Sequence, residues 1–146
     1  MRAVIQRVEW AAVKTAGTEI ARIGQGILAL VAIAHGDTQN DLEWMARKIA
    51  ELRIFDDAGG RMNLSLRDIG GQLLVVSQFT LYGDCRKGRR PSYSDAAPPD
   101  EAQARYDTFV QMLRNWVPEV QSGQFQAIME VELLNSGPVT LIIDSP

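Results

Sequence analysis

Residues 27–34 read Ile-Leu-Ala-Leu-Val-Ala-Ile-Ala, the longest unbroken apolar run in the chain. Eight uncharged apolar residues in a row are typical of a strand that is buried on both faces of a sheet. The run is far shorter than the roughly 20 residues that a membrane-spanning helix needs. It therefore predicts the central strand of a globular domain, and no membrane partner.

The segments on either side of this run predict more strands and a helix. Upstream, Arg2–Val13 and Glu19–Ile23 are rich in Val and Ile and are separated by a turn, so both are predicted strands. Downstream, Asp37 or Thr38 is a good N-cap for a helix that runs to about Arg53. Apolar residues at helical spacing give this helix one buried face: Leu42, Met45, Ile49 and Leu52.

The second half of the chain continues the same pattern. Gln72–Leu81 predicts a core strand, and Tyr82–Pro98, which has no period, predicts a long loop of the kind that is often functional. A second helix begins at about Pro99 and ends at Pro118. Two further strands are predicted, Phe125–Leu134 and Val139–Ile143, with a turn over Asn135–Pro138 between them. The predicted fold class is α/β, a single domain over residues 1–146 with a mainly antiparallel, barrel-like sheet and two main helices.

Composition excludes several functional classes. The chain has 146 residues, 46% of them hydrophobic and 23% charged, with a net charge of −3, which is typical of a globular domain and not of a disordered chain. One cysteine, Cys85, cannot form an internal disulfide, and with the single His35 it cannot build a multi-ligand zinc site. No phosphate-binding or dinucleotide-binding motif is present, so no cofactor is expected. Polar residues interrupt the first ten positions, so no secretory signal is expected and the predicted location is the cytoplasm.

Nucleophilic side chains are sparse. A catalytic triad would have to use His35, and a lone histidine is more often structural or solvated. Cys85 lies among Arg86, Lys87 and Arg89, which would lower a thiol pKa if they were close. A thiol hydrolase is therefore one open hypothesis, although an incidental loop cysteine is the more common case.

Two segments could instead carry function. Ser77-Gln78-Phe79-Thr80 places polar groups at the end of an apolar strand, where side chains and free backbone N–H groups can face a cleft; ordinary strand-end capping would give the same pattern. Arg86–Arg90 holds four cations in five positions, which is either a solvated loop or a contact for nucleic-acid phosphates. A non-catalytic nucleic-acid-binding module is therefore the alternative to an enzyme.

Nearly the whole chain resembles the D-aminoacyl-tRNA deacylases, also called D-tyrosyl-tRNA deacylases. The segments that carry the resemblance are Met1–Val8, Leu52–Asp56 with Met62-Asn63, Ser77–Tyr82, Lys87–Ser92 and Asn135–Thr140. The resemblance implies a cytoplasmic homodimer that hydrolyses the ester between a D-amino acid and tRNA, and that also removes misattached glycine. The implied partners are a second subunit and the aminoacylated 3′ end of tRNA, with no DNA expected.

The resemblance also implies how the substrate's chirality is tested. Gly137-Pro138 would be joined by a cis peptide bond and would reach into the partner subunit's active site, where its carbonyl oxygens capture the α-amino group and exclude an L side chain. Arg7 is similar to the residue that holds this motif in place. Such a wall is consistent with an enzyme that accepts many D side chains, because a fitted side-chain pocket would discriminate among them.

Other roles follow from the same resemblance. The implied catalytic residues are Ser77, Gln78, Phe79 and Thr80. Further substrate contacts are implied for Ala102 and Met129. The implied tRNA contacts are Arg86, Lys87, Arg89 and Arg90. Thr80 is expected to support the reaction, while backbone N–H groups near Phe79 and Thr80 face the scissile carbonyl and the 2′-hydroxyl of the terminal adenosine assists. Two departures from the family pattern are Ser136, where aspartate is common, and Gln126, where glycine is usual. Neither changes the Gly-Pro pair, so activity is expected to be retained.

Overall fold

A computed structural model describes all 146 residues and places the predicted buried strand at the centre of a sheet. The strands are β1 (Arg2–Thr15), β2 (Thr18–Ile23), β3 (Gly26–Ala32), β4 (Phe55–Asp56), β5 (Met62–Leu64), β6 (Gln72–Ser77), β7 (Val120–Ser122) and β8 (Glu130–Asp144). The helices are α1 (Gln39–Glu51), a short 3-10 helix (Phe79–Tyr82) and α2 (Pro99–Arg114).

The main sheet has six strands and mixed directions. Its order is β2-β1-β3-β6-β7, and β8 pairs with β1. Strand β1 is antiparallel to β2, β3 and β8, whereas β6 is parallel to both β3 and β7. The parallel pairs arise because α1 lies between β3 and β6 in the chain, and α2 lies between β6 and β7. The antiparallel part of the prediction is confirmed, and the whole is a mixed sheet that forms a nearly closed barrel with two helices.

Strand β3 is buried on both faces because each face meets a different apolar cluster. Ile27 and Val31 belong to the larger cluster, which fills the space between the sheet and the helices. Leu28 belongs to a second cluster on the opposite face, with residues from β1, β2 and β6. This arrangement explains why the sequence of β3 shows no alternation. Gly26 opens the strand, since a Cβ atom there would overlap the carbonyl group of Gln72 on the neighbouring strand.

Helix α1 begins as predicted, and Thr38 is its N-cap. The Asp41 carboxylate accepts hydrogen bonds from the Thr38 N–H at 2.8 Å and from the Thr38 hydroxyl at 2.6 Å. Asp37, the other candidate, has a different role: its buried carboxylate accepts from the Met1 ammonium group and from the Ala34 N–H. Neither α1 nor α2 is long and apolar enough to cross a membrane.

Two predicted strands have different bounds in the structure. The strand predicted over Gln72–Leu81 ends at Ser77, because the chain turns there into the 3-10 helix. The strand predicted to start at Phe125 starts at Glu130, and the residues before it form a loop. No sequence pattern predicts the β4–β5 hairpin or β7, whose strands are only two or three residues long.

The turn predicted at 135–138 is also wrong, because β8 runs through it as one strand. Val8 pairs with Asn135 and Gln6 pairs with Thr140, so residues 136–139 bulge out of the ladder opposite Arg7. A proline cannot donate to a ladder and is found at such bulges. The peptide bond between Gly137 and Pro138 is cis.

Candidate active site

The end of β6 forms one wall of the candidate site. After Ser77, the Gln78 N–H donates a hydrogen bond to the Val31 carbonyl oxygen at 2.7 Å, which fixes the chain where it leaves the sheet. The 3-10 helix then begins at Phe79. The first N–H groups of a helix have no partner inside it, and those of Phe79 and Thr80 have no acceptor elsewhere in the chain. Two adjacent backbone donors are therefore free at this position.

A pocket of about 870 Å³ opens beside these residues. Its lining is mostly apolar and comes from β3, β6, the loop before α2, the start of α2 and the loop before β8. The lining residues are Ile33, Val76, Ser77, Gln78, Phe79, Tyr93, Ala96, Ala97, Pro98, Pro99, Ala102, Phe125, Gln126, Ala127, Met129 and Val131. A concave, largely apolar pocket with a few polar groups is typical of a small-molecule site.

Five of the predicted site residues meet in this pocket: Ser77, Gln78, Phe79, Ala102 and Met129. Thr80 is next to the pocket without lining it. Its side chain is exposed, and its hydroxyl oxygen accepts a hydrogen bond from the Gln78 carboxamide.

Aromatic rings form the mouth and the floor of the pocket. Phe79 is 55% exposed and contacts Tyr93 edge-to-face, with 5.1 Å between ring centroids. Beneath them, Tyr106 is buried, its ring centroid is 5.8 Å from that of Phe125, and its hydroxyl donates to the Val75 carbonyl oxygen at 2.9 Å. Burial raises the pKa of Tyr106, so this hydroxyl stays protonated. Tyr106 therefore supplies no base to the pocket.

Gly137 and Pro138 lie outside this pocket and are exposed. Behind them, the Arg7 guanidinium donates from Nε to the Ser136 carbonyl oxygen at 3.2 Å and from Nη1 to the Ile54 carbonyl oxygen at 2.7 Å. The Gly137 φ is +114°, a conformation that favours glycine. The chain therefore presents this segment to the outside, away from its own pocket.

The predicted tRNA contacts lie on an exposed loop. Asp84 and Ser92 bridge its two ends. Within it, Arg86 forms an ion pair with Asp84 at 2.8 Å, and that hydrogen bond lowers the pKa of the Asp84 carboxyl. The other three cations of the loop, Lys87, Arg89 and Arg90, form no ion pair.

The sequence missed several lining residues. Phe125 and Ala127 alternate with Met129 along the chain, and this alternation predicts a strand. Phe125 and Ala127 instead line the pocket from a loop, as does Met129, which the family resemblance alone implied as a substrate contact. Tyr93 carries no signal in the sequence, and Gln126 is notable there only as a departure from the family pattern.

The other candidate groups are elsewhere. His35 is on the surface, with its side chain 74% exposed and Nδ1 3.9 Å from a Glu101 carboxylate oxygen. Cys85 is exposed on the basic loop and lines no part of the pocket. No group of three His, Cys, Asp or Glu side chains is placed to hold a metal ion.

Known proteins resemble this chain over its full length. A family model described as D-Tyr-tRNA(Tyr) deacylase matches residues 4–144. A D-aminoacyl-tRNA deacylase of Chloroherpeton thalassium is 58% identical over 100% of this chain and 97% of its own length. One of Thermosipho africanus is 55% identical over 99% of this chain and 97% of its own. The protein is thus an enzyme, a hydrolase of aminoacyl esters. It belongs to the D-Tyr-tRNA(Tyr) deacylase family, whose members are D-aminoacyl-tRNA deacylases.

Solved structures show the same fold. A protein named c-Myc DNA Unwinding Element Binding Protein superposes with a TM-score of 0.95 at 41% identity, covering 100% of this chain and 99% of that one. A probable eukaryotic D-amino acid tRNA deacylase superposes with a TM-score of 0.85 at 19% identity, covering 98% of each chain. The second likeness shows the fold alone.

Proposed function

We propose that this deacylase edits both D-aminoacyl-tRNA and glycyl-tRNA in the cytoplasm, and that it rejects L-aminoacyl-tRNA with a wall supplied by a second copy of the chain. The observation that carries the proposal is that the pocket holds free backbone donors and no charged side chain that could bind the substrate's α-amino group. The exposed Gly137-Pro138 segment is formed and held elsewhere on the same chain.

The free N–H groups of Phe79 and Thr80 suit the oxyanion of an acyl transfer. In the proposed reaction, water attacks the ester carbonyl carbon, the carbonyl oxygen becomes the oxyanion, and the two N–H groups stabilise it. The C–O bond to the ribose 3′-oxygen then breaks, and that oxygen takes the proton that the water loses. The 2′-hydroxyl of the same ribose is next to both oxygens and can relay this proton. Thr80 supports the geometry through its contact with Gln78.

The pocket walls agree with broad acceptance of side chains. Small residues such as Ala96, Ala97 and Ala102 line one side, and no charged side chain faces the pocket. Selectivity must then come from the parts that all substrates share: the ester, the α-amino group and the adenosine. A barrier on the L side rejects an L side chain by collision and does not reject glycine, which has none.

Gly137 and Pro138 have the properties of such a barrier. Both are exposed, while the Arg7 side chain behind them is only 12% exposed and links the Ser136 carbonyl oxygen of the segment to the Ile54 carbonyl oxygen. Carbonyl oxygens on a fixed segment could accept hydrogen bonds from an ammonium group with little loss of entropy. The segment does not line its own pocket, and in the proposed arrangement a second subunit supplies it.

The surface around β8 supports a homodimer. This strand pairs only with β1, so its other edge is open. It also carries exposed apolar side chains, with Ile142 72% exposed and Leu134 52% exposed. An open edge and exposed apolar residues on the strand that bears Gly137-Pro138 would be covered together in a symmetric dimer.

The basic loop is proposed to contact the tRNA backbone. Lys87, Arg89 and Arg90 are exposed and have no acidic partner, whereas Arg86 is paired with Asp84 and should contribute less. Such contacts would raise affinity for any tRNA in a salt-dependent way without selecting its sequence.

Deacylation of D-Tyr-tRNA, L-Tyr-tRNA and Gly-tRNA tests the function directly. We expect release of tyrosine from the D substrate and of glycine, and retention of the L ester at equal enzyme concentration. Hydrolysis of both tyrosine esters would contradict the chiral barrier. Retention of all three would contradict editing.

A second candidate is binding of nucleic acid without turnover, which the name of the 41%-identical structure favours. It predicts salt-sensitive binding of DNA or uncharged tRNA and no ester hydrolysis. The proposed function predicts instead that DNA does not compete with D-Tyr-tRNA for hydrolysis. A competition assay at constant ionic strength separates the two.

A further inference from the structure

Gln126 occupies an unusual position in the candidate site. It lines the pocket from the loop between β7 and β8, its side chain is exposed, and its carboxamide forms no hydrogen bond within the chain. Its φ is +60°, in the left-handed region. Only two non-glycine residues of the chain adopt a positive φ, and the other, Ala16, is in the turn between β1 and β2.

The backbone conformation at residue 126 indicates that its side chain has a role in ligand binding. Glycine adopts a positive φ without steric cost, whereas a residue with a Cβ atom does so at a cost in free energy. Such outliers cluster at ligand sites. The Ala127 N–H donates to the Gln124 carbonyl oxygen, so the turn is closed by backbone and does not need the Gln126 side chain.

We propose that Gln126 binds the terminal adenine base of the tRNA through its carboxamide. This proposal rests on the proposed function, because it takes aminoacyl-tRNA as the ligand. A carboxamide is both a donor and an acceptor, and it pairs with adenine at N6 and N7. Every tRNA ends in the same adenosine, so this contact serves all substrates and is blind to the amino acid.

The surroundings of Gln126 suit a base. Phe79, Tyr93 and Phe125 offer aromatic surfaces in the same pocket, and aromatic side chains stack on unpaired bases. Of the other polar groups, the Gln78 carboxamide already donates to Thr80. The Gln126 carboxamide forms no hydrogen bond within the chain, so both its donors and its acceptor are available to a ligand. The pocket volume of about 870 Å³ exceeds the space that an amino acid alone would need.

The test combines a variant with a changed base. Hydrolysis of D-Tyr-tRNA is compared for wild type and Gln126→Ala on tRNA that ends in adenosine and on tRNA that ends in purine riboside, which lacks the N6 amino group. We expect Gln126→Ala to raise KM about tenfold on adenosine with kcat within about twofold, the size of one or two hydrogen bonds. On tRNA that ends in purine riboside, the same variant should change KM by less than about threefold, because the N6 amino group that the carboxamide would contact is already absent.

Two further variants separate the effect of backbone strain at residue 126 from the effect of losing the contact with adenine. Gln124→Ala, two residues earlier on the same exposed loop and outside the pocket, should leave both constants unchanged. Gln126→Gly should raise KM as much as Gln126→Ala while increasing the urea midpoint of unfolding, since it relieves the positive φ.

An unchanged KM in Gln126→Ala would overturn the proposal. So would a variant that raises KM on purine riboside by the same factor as on adenosine, because the two changes would then act independently. A third contrary result is a loss that depends on whether the D-amino acid is tyrosine or alanine. The last would show that Gln126 contacts the amino acid. Absence of hydrolysis by the wild type would instead refute the proposed function, so the two failures are distinguishable.

Discussion

The Arg7 Nε donates a hydrogen bond to the Ser136 carbonyl oxygen, 3.2 Å away, and so joins β1 to the segment that bulges from β8. The same guanidinium donates to the Ile54 carbonyl oxygen at 2.7 Å and lies 3.5 Å from an Asp56 carboxylate oxygen. One largely buried side chain thus connects three separate parts of the chain.

Replacing Arg7 with lysine should disorder the bulged segment. Lysine keeps the charge, but its ammonium group cannot reproduce the fork of donors that reaches both carbonyls. We expect Arg7→Lys to lower kcat/KM for D-Tyr-tRNA by about 10- to 100-fold, the loss of one or two charge-assisted hydrogen bonds. Arg22→Lys is the matched control, since Arg22 is exposed and bonded only to Glu19. Equal activity of the two variants would refute the positioning role of Arg7.

Removing the Thr80 hydroxyl and removing the substrate's 2′-hydroxyl should affect the rate of hydrolysis very differently. The Thr80 side chain is exposed and outside the pocket lining, so Thr80→Ala should reduce kcat by less than about tenfold. D-Tyr-tRNA that ends in 2′-deoxyadenosine, with the ester on the 3′-oxygen, should lose at least about 100-fold in kcat if the hydroxyl relays the proton. Single-turnover rates at saturating enzyme separate this loss from weaker binding. Near-complete loss in Thr80→Ala with a normal rate on the deoxy substrate would assign the proton transfer to the threonine.

Asp41 should make the stability of the fold depend on pH. The hydrogen bonds from Thr38 lower the pKa of Asp41 to about 2 from 3.8. A carboxyl whose pKa is depressed by folding stabilises the native state above its unfolded pKa, and this contribution is lost as the pH falls through the folded value. Because the group is only partly buried, solvent screening leaves a contribution of about 1 kcal/mol, typical of a helix cap.

Urea unfolding of Asp41→Ala tests this contribution. At pH 7 the free energy of unfolding should be about 1 kcal/mol below that of the wild type. The difference should shrink between pH 4 and pH 2, the interval between the unfolded and the folded pKa. Asn40→Ala, which removes an exposed side chain with no hydrogen bond in the same turn, should change the free energy by less than about 0.5 kcal/mol at either pH.

Sequence patterns predicted the buried centre of the fold better than its edges. Strand β3 and helix α1 are buried over most of their length on at least one face, so hydrophobic periodicity reports them directly. The β4–β5 hairpin and β7 are held by pairing partners that are distant in sequence, such as Leu73 for Val120, and leave no local period. The end of β6 was missed because Phe79 and Leu81 are apolar, although Phe79 is exposed at the pocket mouth.

In the site, too, residues next to a regular element are predicted from the sequence, and residues on loops are not. Polar residues at a strand end identified Ser77 and Gln78, and the family resemblance added Ala102 and Met129, all of which line the pocket. Gln126 and Tyr93 enter from loops whose course depends on long-range contacts. The Ala97 N–H, for example, donates to the Ile33 carbonyl oxygen and brings the loop before α2 to the sheet. No pattern within a loop encodes such a contact.

The proposed exchange of Gly137-Pro138 between subunits can be tested with two variants that each disable one half of the site. Gly137→Ala places a Cβ atom at a φ of +114°, which L residues rarely adopt, and 2.7 Å from an Arg7 nitrogen, so it should displace the barrier segment. Ala102→Phe fills the pocket, because Ala102 lines it and is only 8% exposed. Each homodimer should hydrolyse D-Tyr-tRNA poorly.

A heterodimer of these two variants, purified through different tags on the two subunits, distinguishes the models. If the barrier comes from the partner, the subunit with an intact pocket faces an intact Gly137-Pro138, and the heterodimer recovers about half of the wild-type activity, since one of its two sites is complete. If each subunit builds its own site, both sites are defective and nothing is recovered. A pair of Gly137→Ala and Arg7→Lys subunits is the control, because both damage the barrier segment and neither can supply an intact one.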